Sequence, residues 1–180
     1  MRKEINQALK VLKDGGVILY PTDTIWGIGC DATNENAIAK IFELKQRNKS
    51  KALIALVGNK EQLITLTKKI PKEAESDKPT TIIYTNISGL TKNLTANDGT
   101  IAIRIVKDHF CKQLIQNFGK PIVSTSANIS GENTPKQFSE ISKEIRKNVD
   151  YIVNLRQNEL MLTPSTILMI NKDGSIKKIR

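Results

Sequence analysis

Histidine and cysteine are almost absent from this chain of 180 residues, which contains His109 and only two cysteines, Cys30 and Cys111. Metal sites and catalytic triads of the Ser/His or Cys/His type need histidine in a defined place, so one histidine argues against most of them. The cysteines are far apart and form no CxxC pair, which predicts reduced, packed thiols. Any catalysis must therefore rely on cations, hydroxyl groups and the groups of bound substrates.

Long apolar runs and aromatic residues are also scarce. No run is long enough to cross a bilayer, and residues 1–5 lack the apolar core of a signal peptide. We therefore expect a cytoplasmic protein that does not contact a membrane. Aromatic residues make up 4% of the chain, which argues against a base-stacking surface for single-stranded nucleic acid.

The composition is otherwise that of an ordinary globular domain, with 39% hydrophobic and 26% charged residues, and we expect one domain over residues 1–180. The formal net charge is +10, which favours polyanionic partners such as nucleotide phosphates or nucleic acid. Solubility explains many of the lysines equally well, because they lie on predicted helix surfaces or near the termini.

Hydrophobic periodicity predicts an α/β fold. A helix over residues 4–14 ends at Gly15 and Gly16, and a buried strand follows at once, which is the order typical of α/β layers. Further helices are predicted over 33–45, 61–66, 108–119 and 137–147. Further strands are predicted over 52–57, 80–84, 100–106, 121–123, 150–155, 163–170 and 176–180.

Two polar segments follow predicted strands. In residues 121–131, an apolar run ends in Ser124, Thr125, Ser126 and Asn128, whose uncharged donors and acceptors suit phosphate or carboxylate oxygens. A polar turn that satisfies its own backbone explains the segment equally well. Residues 21–31 indicate either a hydroxyl-lined pocket wall or a strand continuing through a glycine bulge, and we favour the bulge slightly.

Three cations occupy unusual positions. Lys45 continues the apolar stripe of the second helix at its last turn, and Arg47 follows two residues later. The helix dipole favours cations there, but the inward position favours an anion-binding role. Arg104 interrupts an apolar strand and must meet a protein carboxylate or a ligand, because an isolated buried charge is too costly.

Four motifs together resemble the YrdC-like family of threonylcarbamoyl-adenylate synthases, and they extend over almost the whole chain. They are Tyr20-Pro-Thr-Asp-Thr24, Lys45-x-Arg47, Ser124-Thr-Ser-Ala-Asn128 and Pro164-Ser-Thr-Ile167. The resemblance implies a single-domain twisted mixed sheet, flanked by helices, with a basic concave face. It implies that L-threonine, bicarbonate and ATP give threonylcarbamoyl-adenylate and pyrophosphate. A threonylcarbamoyl-transferase complex then modifies tRNA.

The same resemblance implies the site residues. The catalytic residues would be Lys45, Arg47, Ser126 and Asn128, and the ATP-binding residues would be these four with Lys51, Thr100, Thr134 and Arg180. The threonine-binding residues would be Thr24, Arg104, Ser124 and Ser165. No protein metal site is implied, because Mg²⁺ would enter with ATP and be held mostly by phosphates and water.

Leu56 departs from the family pattern, because many members carry a histidine there, and one threonine contact is expected to be lost or replaced. Arg180 also departs, because it is the last residue of this sequence. Two alternatives remain: a module that binds double-stranded RNA or tRNA, and a sister protein of the same fold without synthase activity. A carbamoyl-transfer domain like those of hydrogenase maturation factors is less favoured, because such domains are embedded in much longer chains.

Overall fold

The computed structural model describes residues 1–46, 53–85, 87–171 and 173–180. The α-helices in these ranges are α1 (Arg2–Lys13), α2 (Glu35–Leu44), α3 (Lys60–Ile64), α4 (His109–Phe118) and α5 (Lys143–Asn148). The strands are β1 (Ile18–Tyr20), β2 (Gly27–Gly29), β3 (Ile54–Val57), β4 (Thr80–Tyr84), β5 (Ile101–Ile105), β6 (Ile122–Ser126), β7 (Tyr151–Ile152), β8 (Thr166–Ile170) and β9 (Ile176–Lys178). Short 3₁₀ turns occur at Lys72–Glu75, Lys92–Leu94 and Phe138–Glu140.

The described strands form one mixed sheet in the order β7-β1-β2-β6-β3-β5-β4-β8-β9. The pairs β1/β7, β3/β5 and β4/β8 are parallel, and the other neighbouring pairs are antiparallel. The predicted α/β fold with a mixed sheet flanked by helices is therefore confirmed.

The helix ends follow from local sequence signals. The side chain of Asn34 accepts a hydrogen bond from the Ala37 N–H and begins α2, and the Asp108 carboxylate accepts one from the Cys111 N–H and begins α4. Gly119 ends α4 with a φ of 76°, a left-handed conformation that glycine adopts without a steric penalty. These ends agree with the predicted ones.

The structure differs from the sequence-based prediction at residues 137–147, which do not form one helix. A 3₁₀ turn ends at Glu140, and α5 begins only after Ser142, whose hydroxyl accepts a hydrogen bond from the Ile145 N–H at 3.3 Å. A serine that caps a new helix competes with a continuous helical backbone, which explains the break. The predicted strand at 150–155 is also shorter, because only Tyr151 and Ile152 pair with β1.

The bulge favoured for residues 21–31 is wrong, because β2 is a separate strand that pairs antiparallel with β1 through Tyr20 and Gly27. Gly29 allows close packing here, since a Cβ at this position would lie 2.4 Å from the Val123 carbonyl oxygen. The strand predicted over residues 121–123 also differs from the structure, because β6 continues through Ser126 and pairs with β2 and β3. The hydroxyl groups of residues 124–126 therefore stand on the end of a strand.

The sheet buries apolar residues on both faces. On one face, α1 and α4 cover a group of strand residues that we call the covered region: Ile18, Tyr20, Leu56 and Ile122. On the opposite face, α2 packs through Ile38, Ile41 and Phe42 against residues such as Leu19 and Val123.

Both cysteines are free and buried, as predicted. None of the described helices is both long enough and apolar enough to span a bilayer.

Candidate functional site

The register of the sheet places polar residues beside the covered region, on the same face. Leu56 pairs with Arg104 on β5 and with Ile122 on β6, and Ile54 pairs with Ser124. Because residues two apart on a strand share a face, Ile54 and Ser124 lie on the face of Leu56 and Ile122. Ile54, Ala102, Arg104 and Ser124 line cavities, and we call these four residues the open region.

Two adjoining cavities lie over the open region, with volumes of about 750 Å³ and about 50 Å³. We call them the main cavity and the small cavity. Their shared lining residues are Ile25, Ile54, Ser124, Thr125, Ser126, Pro164 and Arg180. Because these walls are common to both, the two cavities form one site with a large and a small compartment.

All four residues implied for threonine, Thr24, Arg104, Ser124 and Ser165, line the small cavity. The hydroxyl groups of two of these residues lie at hydrogen-bond distance from a neighbouring threonine hydroxyl. The Thr24 Oγ1 lies 3.0 Å from the Thr22 Oγ1, and the Ser165 Oγ lies 2.8 Å from the Thr81 Oγ1.

Arg104 is only 4% exposed, and its Nη2 lies 3.0 Å from the Asp23 Oδ1. The Asp23 Oδ2 accepts a hydrogen bond from the Lys107 N–H at 3.0 Å. The buried arginine therefore meets a protein carboxylate, one of the two partners that the sequence allowed. Its Nε is buried and has no hydrogen-bond partner within the described part of the chain. Arg104 therefore places a positive charge in the wall of the small cavity.

The main cavity is lined by Ser126, Thr134 and Arg180 among the residues implied for ATP. The Arg180 Nε and Nη2 donate to the Ser165 carbonyl oxygen at 3.2 Å and 3.1 Å. Lys136 also lines this cavity, although sequence reasoning did not select it. No aspartate or glutamate occurs among the described residues of the cavity wall. The wall is therefore positively charged, as anionic ligands require.

Lys45 links α2 to the end of β6. Its side chain is 1% exposed, and its ammonium donates hydrogen bonds to the backbone carbonyl oxygens of Ser126 and Asn128. The Asn128 Nδ2 donates to the carbonyl oxygens of Ile129 and Glu132, both at 2.9 Å. Lys45 and the segment that follows β6 are thus in direct contact, but neither Lys45 nor Asn128 is among the described lining residues of either cavity.

Other residues implied for the site lie elsewhere. Arg47 and Lys51 fall outside the described residues. The Thr100 hydroxyl donates to the Asp98 Oδ1 at 2.7 Å, a bond that lowers the pKa of Asp98, and Thr100 is not among the described lining residues of either cavity. Leu56 is fully buried in the covered region, so the position at which many family members carry a histidine is part of the core here.

Two ionisable groups beneath the site are neutral. Burial raises the pKa of the Tyr20 hydroxyl and of the Cys111 thiol well above their ordinary values. Neither group can therefore act as a base near neutral pH. No cluster of three or more histidine, cysteine, aspartate or glutamate side chains that could hold a metal ion occurs in the described ranges.

Comparison with known proteins gives a consistent result. The family model Sua5_yciO_yrdC, described as "Telomere recombination", matches residues 10–180. The threonylcarbamoyl-AMP synthase of Pseudoalteromonas translucida is 36% identical over 158 residues, which are 83% of this chain and 84% of that protein.

Solved structures agree with the sequence comparison. The H234A/Y235A variant of Pyrococcus abyssi Sua5 has a TM-score of 0.86 at 27% identity and covers 98% of this chain. P. abyssi Sua5 in complex with L-threonine has a TM-score of 0.81 at 26% identity and also covers 98%. This chain spans about half the length of those proteins, 55% and 53%.

Proposed function

This chain belongs to the Sua5/YciO/YrdC family, and from that membership we propose that it is an L-threonylcarbamoyl-adenylate synthase. It condenses L-threonine, bicarbonate and ATP to threonylcarbamoyl-AMP and pyrophosphate. One observation carries the proposal most directly. Thr24, Arg104, Ser124 and Ser165 are far apart in sequence, yet all four line one small cavity that adjoins a larger one.

The small cavity is the proposed threonine site. The Arg104 guanidinium binds the substrate carboxylate, and the hydroxyl groups of Thr24, Ser124 and Ser165 bind its polar groups. A charge-assisted hydrogen bond in a site shielded from water is roughly twice as strong as a neutral one. The ion pair with Asp23 holds the guanidinium in place before the substrate arrives. The complex of P. abyssi Sua5 with L-threonine, a protein of the same fold, supports this assignment.

The main cavity is the proposed ATP site, and its volume of about 750 Å³ is ample for a nucleotide. Its wall carries Lys136 and Arg180, whose charges suit the triphosphate. Ser126 and Thr134 supply hydroxyl groups to its wall. Lys45 binds the carbonyl oxygens of Ser126 and Asn128 at the end of β6. We assign Asn128 to ATP on the resemblance alone. We assign Arg47 and Lys51 to the phosphates on the resemblance alone, and the same holds for Thr100.

The reaction needs little acid–base chemistry from the protein. The threonine amine attacks bicarbonate, and water leaves, which gives a carbamate. A carbamate oxygen then attacks the α-phosphorus of ATP, and the bond to the β-phosphate oxygen breaks to release pyrophosphate. The reacting groups carry negative charge, so the enzyme must hold like charges together and stabilise charge at phosphorus. Mg²⁺ enters as the ATP complex and neutralises part of the phosphate charge.

By reaction type the protein is a nucleotidyltransferase, because it transfers an adenylyl group to the carbamate. The product is a mixed anhydride, which suits transfer of the threonylcarbamoyl group to tRNA. We assign that transfer to a separate transferase complex, and the whole process to the cytoplasm. The relatives named threonylcarbamoyl-AMP synthase support this role in tRNA modification.

A pyrophosphate-release assay tests the proposal. The purified protein should release pyrophosphate from Mg-ATP only when L-threonine and bicarbonate are both present, and omission of either should return the signal to background. Arg104→Met should abolish the threonine-dependent release of pyrophosphate, whereas Lys147→Ala, a change at an exposed lysine on α5, should leave that release unchanged. Pyrophosphate release that does not depend on threonine would contradict the proposal.

The net charge of +10 favours a second candidate, a module that binds double-stranded RNA or tRNA. Such binding should weaken steeply with added salt and should survive Ser126→Ala, because that change removes no charge. Synthase activity should not survive the same change. Gel-shift and pyrophosphate assays on one Ser126→Ala preparation therefore separate the two functions.

A further inference from the structure

Arg156 joins three parts of the molecule through one guanidinium. Its Nη1 donates to the Thr22 carbonyl oxygen at 3.0 Å and to the Asp108 Oδ2 at 2.7 Å. Its Nε and Nη2 donate to the two carboxylate oxygens of Glu159 at 2.6 Å and 2.9 Å. Paired bonds of this kind fix the orientation of the guanidinium as well as its position.

On one side, Arg156 begins a segment that forms part of both cavities. Residues 156–165 contribute Met161, Leu162 and Pro164 to the main cavity and Ser165 to the small cavity. The segment is also attached to another lining residue of the main cavity, because the Met161 N–H donates to the Lys136 carbonyl oxygen at 2.7 Å. Any shift of the segment therefore changes the shape of both compartments.

On the other side, Arg156 holds the connection between β1 and β2. Its hydrogen bond to the Thr22 carbonyl oxygen fixes the backbone of Thr22, a residue that contacts Thr24 in the wall of the small cavity. The Thr22 hydroxyl accepts a hydrogen bond from the Thr24 N–H at 3.1 Å and lies 3.0 Å from the Thr24 hydroxyl. The residue between them, Asp23, forms the ion pair with Arg104.

Asp108 is the third attachment site of the Arg156 side chain, and it is itself held at the start of α4. One of its carboxylate oxygens accepts from Arg156, and the other accepts from the Cys111 N–H at 2.8 Å and begins α4. The backbone of Arg156 has a φ of 55°, a value that residues other than glycine adopt at a cost. The side-chain bonds hold the backbone in this conformation.

We propose that Arg156 is a positioning residue, which holds residues 156–165 against the connection between β1 and β2 so that the two compartments keep their relative geometry. This inference rests on the proposed synthase function. It goes beyond that function by assigning a role to a residue that lines neither cavity.

The test compares steady-state kinetics of Arg156→Ala and the wild type well below their melting temperatures. The KM for L-threonine should rise about ten- to one-hundredfold in the variant, because a displacement of about 1 Å in a substrate site has effects of this size. The KM for ATP should rise as well. Arg2→Ala removes an exposed arginine on α1 and should change neither constant.

Two further variants separate positioning from folding. Arg156→Lys keeps the charge but cannot form the paired bonds, so its KM for threonine should lie between those of the wild type and Arg156→Ala. Glu159→Gln leaves the bonds to Thr22 and Asp108 in place, so its effect should be smaller than that of Arg156→Ala.

A lower melting temperature with an unchanged KM in Arg156→Ala would overturn the inference, because it would show a structural role alone. If that variant does not fold, Arg156→Lys decides, and an unchanged KM there overturns the inference equally. A wild-type protein that releases no threonine-dependent pyrophosphate would instead contradict the proposed function.

Discussion

The covered and open regions lie on the same face of the sheet, and neighbouring positions of the same strands supply both. On β3, Leu56 lies under the helices and Ile54 lines the cavities, and on β6, Ile122 and Ser124 divide in the same way. A step of two residues along a strand thus separates the core from the site. The comparison teaches that the site begins where α1 and α4 no longer cover the sheet.

The two regions differ in the chemistry of their side chains. The covered region is apolar apart from the Tyr20 hydroxyl, which donates to the Val123 carbonyl oxygen at 3.3 Å. The open region combines a buried cation, a hydroxyl group and small or branched apolar side chains. Changes in the covered region should therefore lower stability and leave binding intact. Changes in the open region should weaken binding and, apart from Arg104, should cost less stability.

The largest effect is expected at Arg104, where the two consequences coincide. Arg104→Met leaves the Asp23 carboxylate buried without its cation, which should lower the free energy of unfolding by about 3–5 kcal/mol. Threonine-dependent activity should also be lost. Denaturant titration and the pyrophosphate assay measure the two effects.

The double variant Asp23→Asn/Arg104→Met sharpens this result, because it removes both charges. Its stability should recover substantially, but its activity should not, since the guanidinium is still missing. Recovery of activity together with stability would show that Arg104 serves the fold alone.

The next largest effect is expected for Leu56→Ala. Truncation of a fully buried leucine should lower the free energy of unfolding by about 2–5 kcal/mol and leave the KM for threonine unchanged in the folded protein. Ile54→Ala, two positions earlier, removes a half-buried side chain and should cost less stability while raising the KM. Equal effects on stability from both variants would break the distinction between the regions.

A smaller effect is expected for Ser124→Ala. Loss of one hydrogen bond to a charged substrate should raise the KM for threonine about tenfold, and stability should change by less than about 1 kcal/mol. Ser142→Ala is the matched control, because that hydroxyl caps α5 and contacts neither cavity. It should lower stability by about 1 kcal/mol without changing the KM. The opposite pattern in the two variants would contradict the assignment of Ser124.

The smallest effect is expected in the pH dependence of stability, away from both regions. Partial burial and then the hydrogen bond to Glu4 raise the pKa of Tyr151 from 10.0 to about 12. The folded protein thus keeps this proton to a higher pH than the unfolded chain does, so the protonated tyrosine stabilises the fold. Its contribution to the free energy of unfolding is complete below pH 10 and is lost as the pH rises towards 12. Tyr151→Phe should remove this contribution, and denaturant titrations of both proteins between these pH values measure it. Equal pH slopes in the two proteins would show that the tyrosine does not contribute.

Sequence patterns predicted local features well and long-range contacts poorly. The ends of α2 and α4 followed from Asn34, Asp108 and Gly119, because capping depends on a few adjacent residues. The strand β2 was missed because it has only three residues, two of them glycine, and its pairing with β1 and β6 depends on tertiary structure.

In the site, too, local features were predicted better than long-range contacts. The inward position of Lys45 was apparent from the helical stripe, but its contact with the segment after β6 depends on packing between distant parts of the chain. For Arg104 the sequence predicted either a protein carboxylate or a ligand as the partner, and it did not identify Asp23. No periodic signal marked Arg156, which joins residues 48 and 134 positions away. The grouping of the threonine residues came from the family resemblance, not from spacing.

The central claim is that the open region binds L-threonine and that the covered region does not. An NMR titration of the ¹⁵N-labelled protein with L-threonine tests it most directly. The account predicts saturable shifts of the amide signals of Arg104, Ser124 and Ser165, with much smaller shifts at Ile18 and at residues of α1. Saturable shifts confined to the helix-covered side, or no shifts at millimolar threonine, would contradict it.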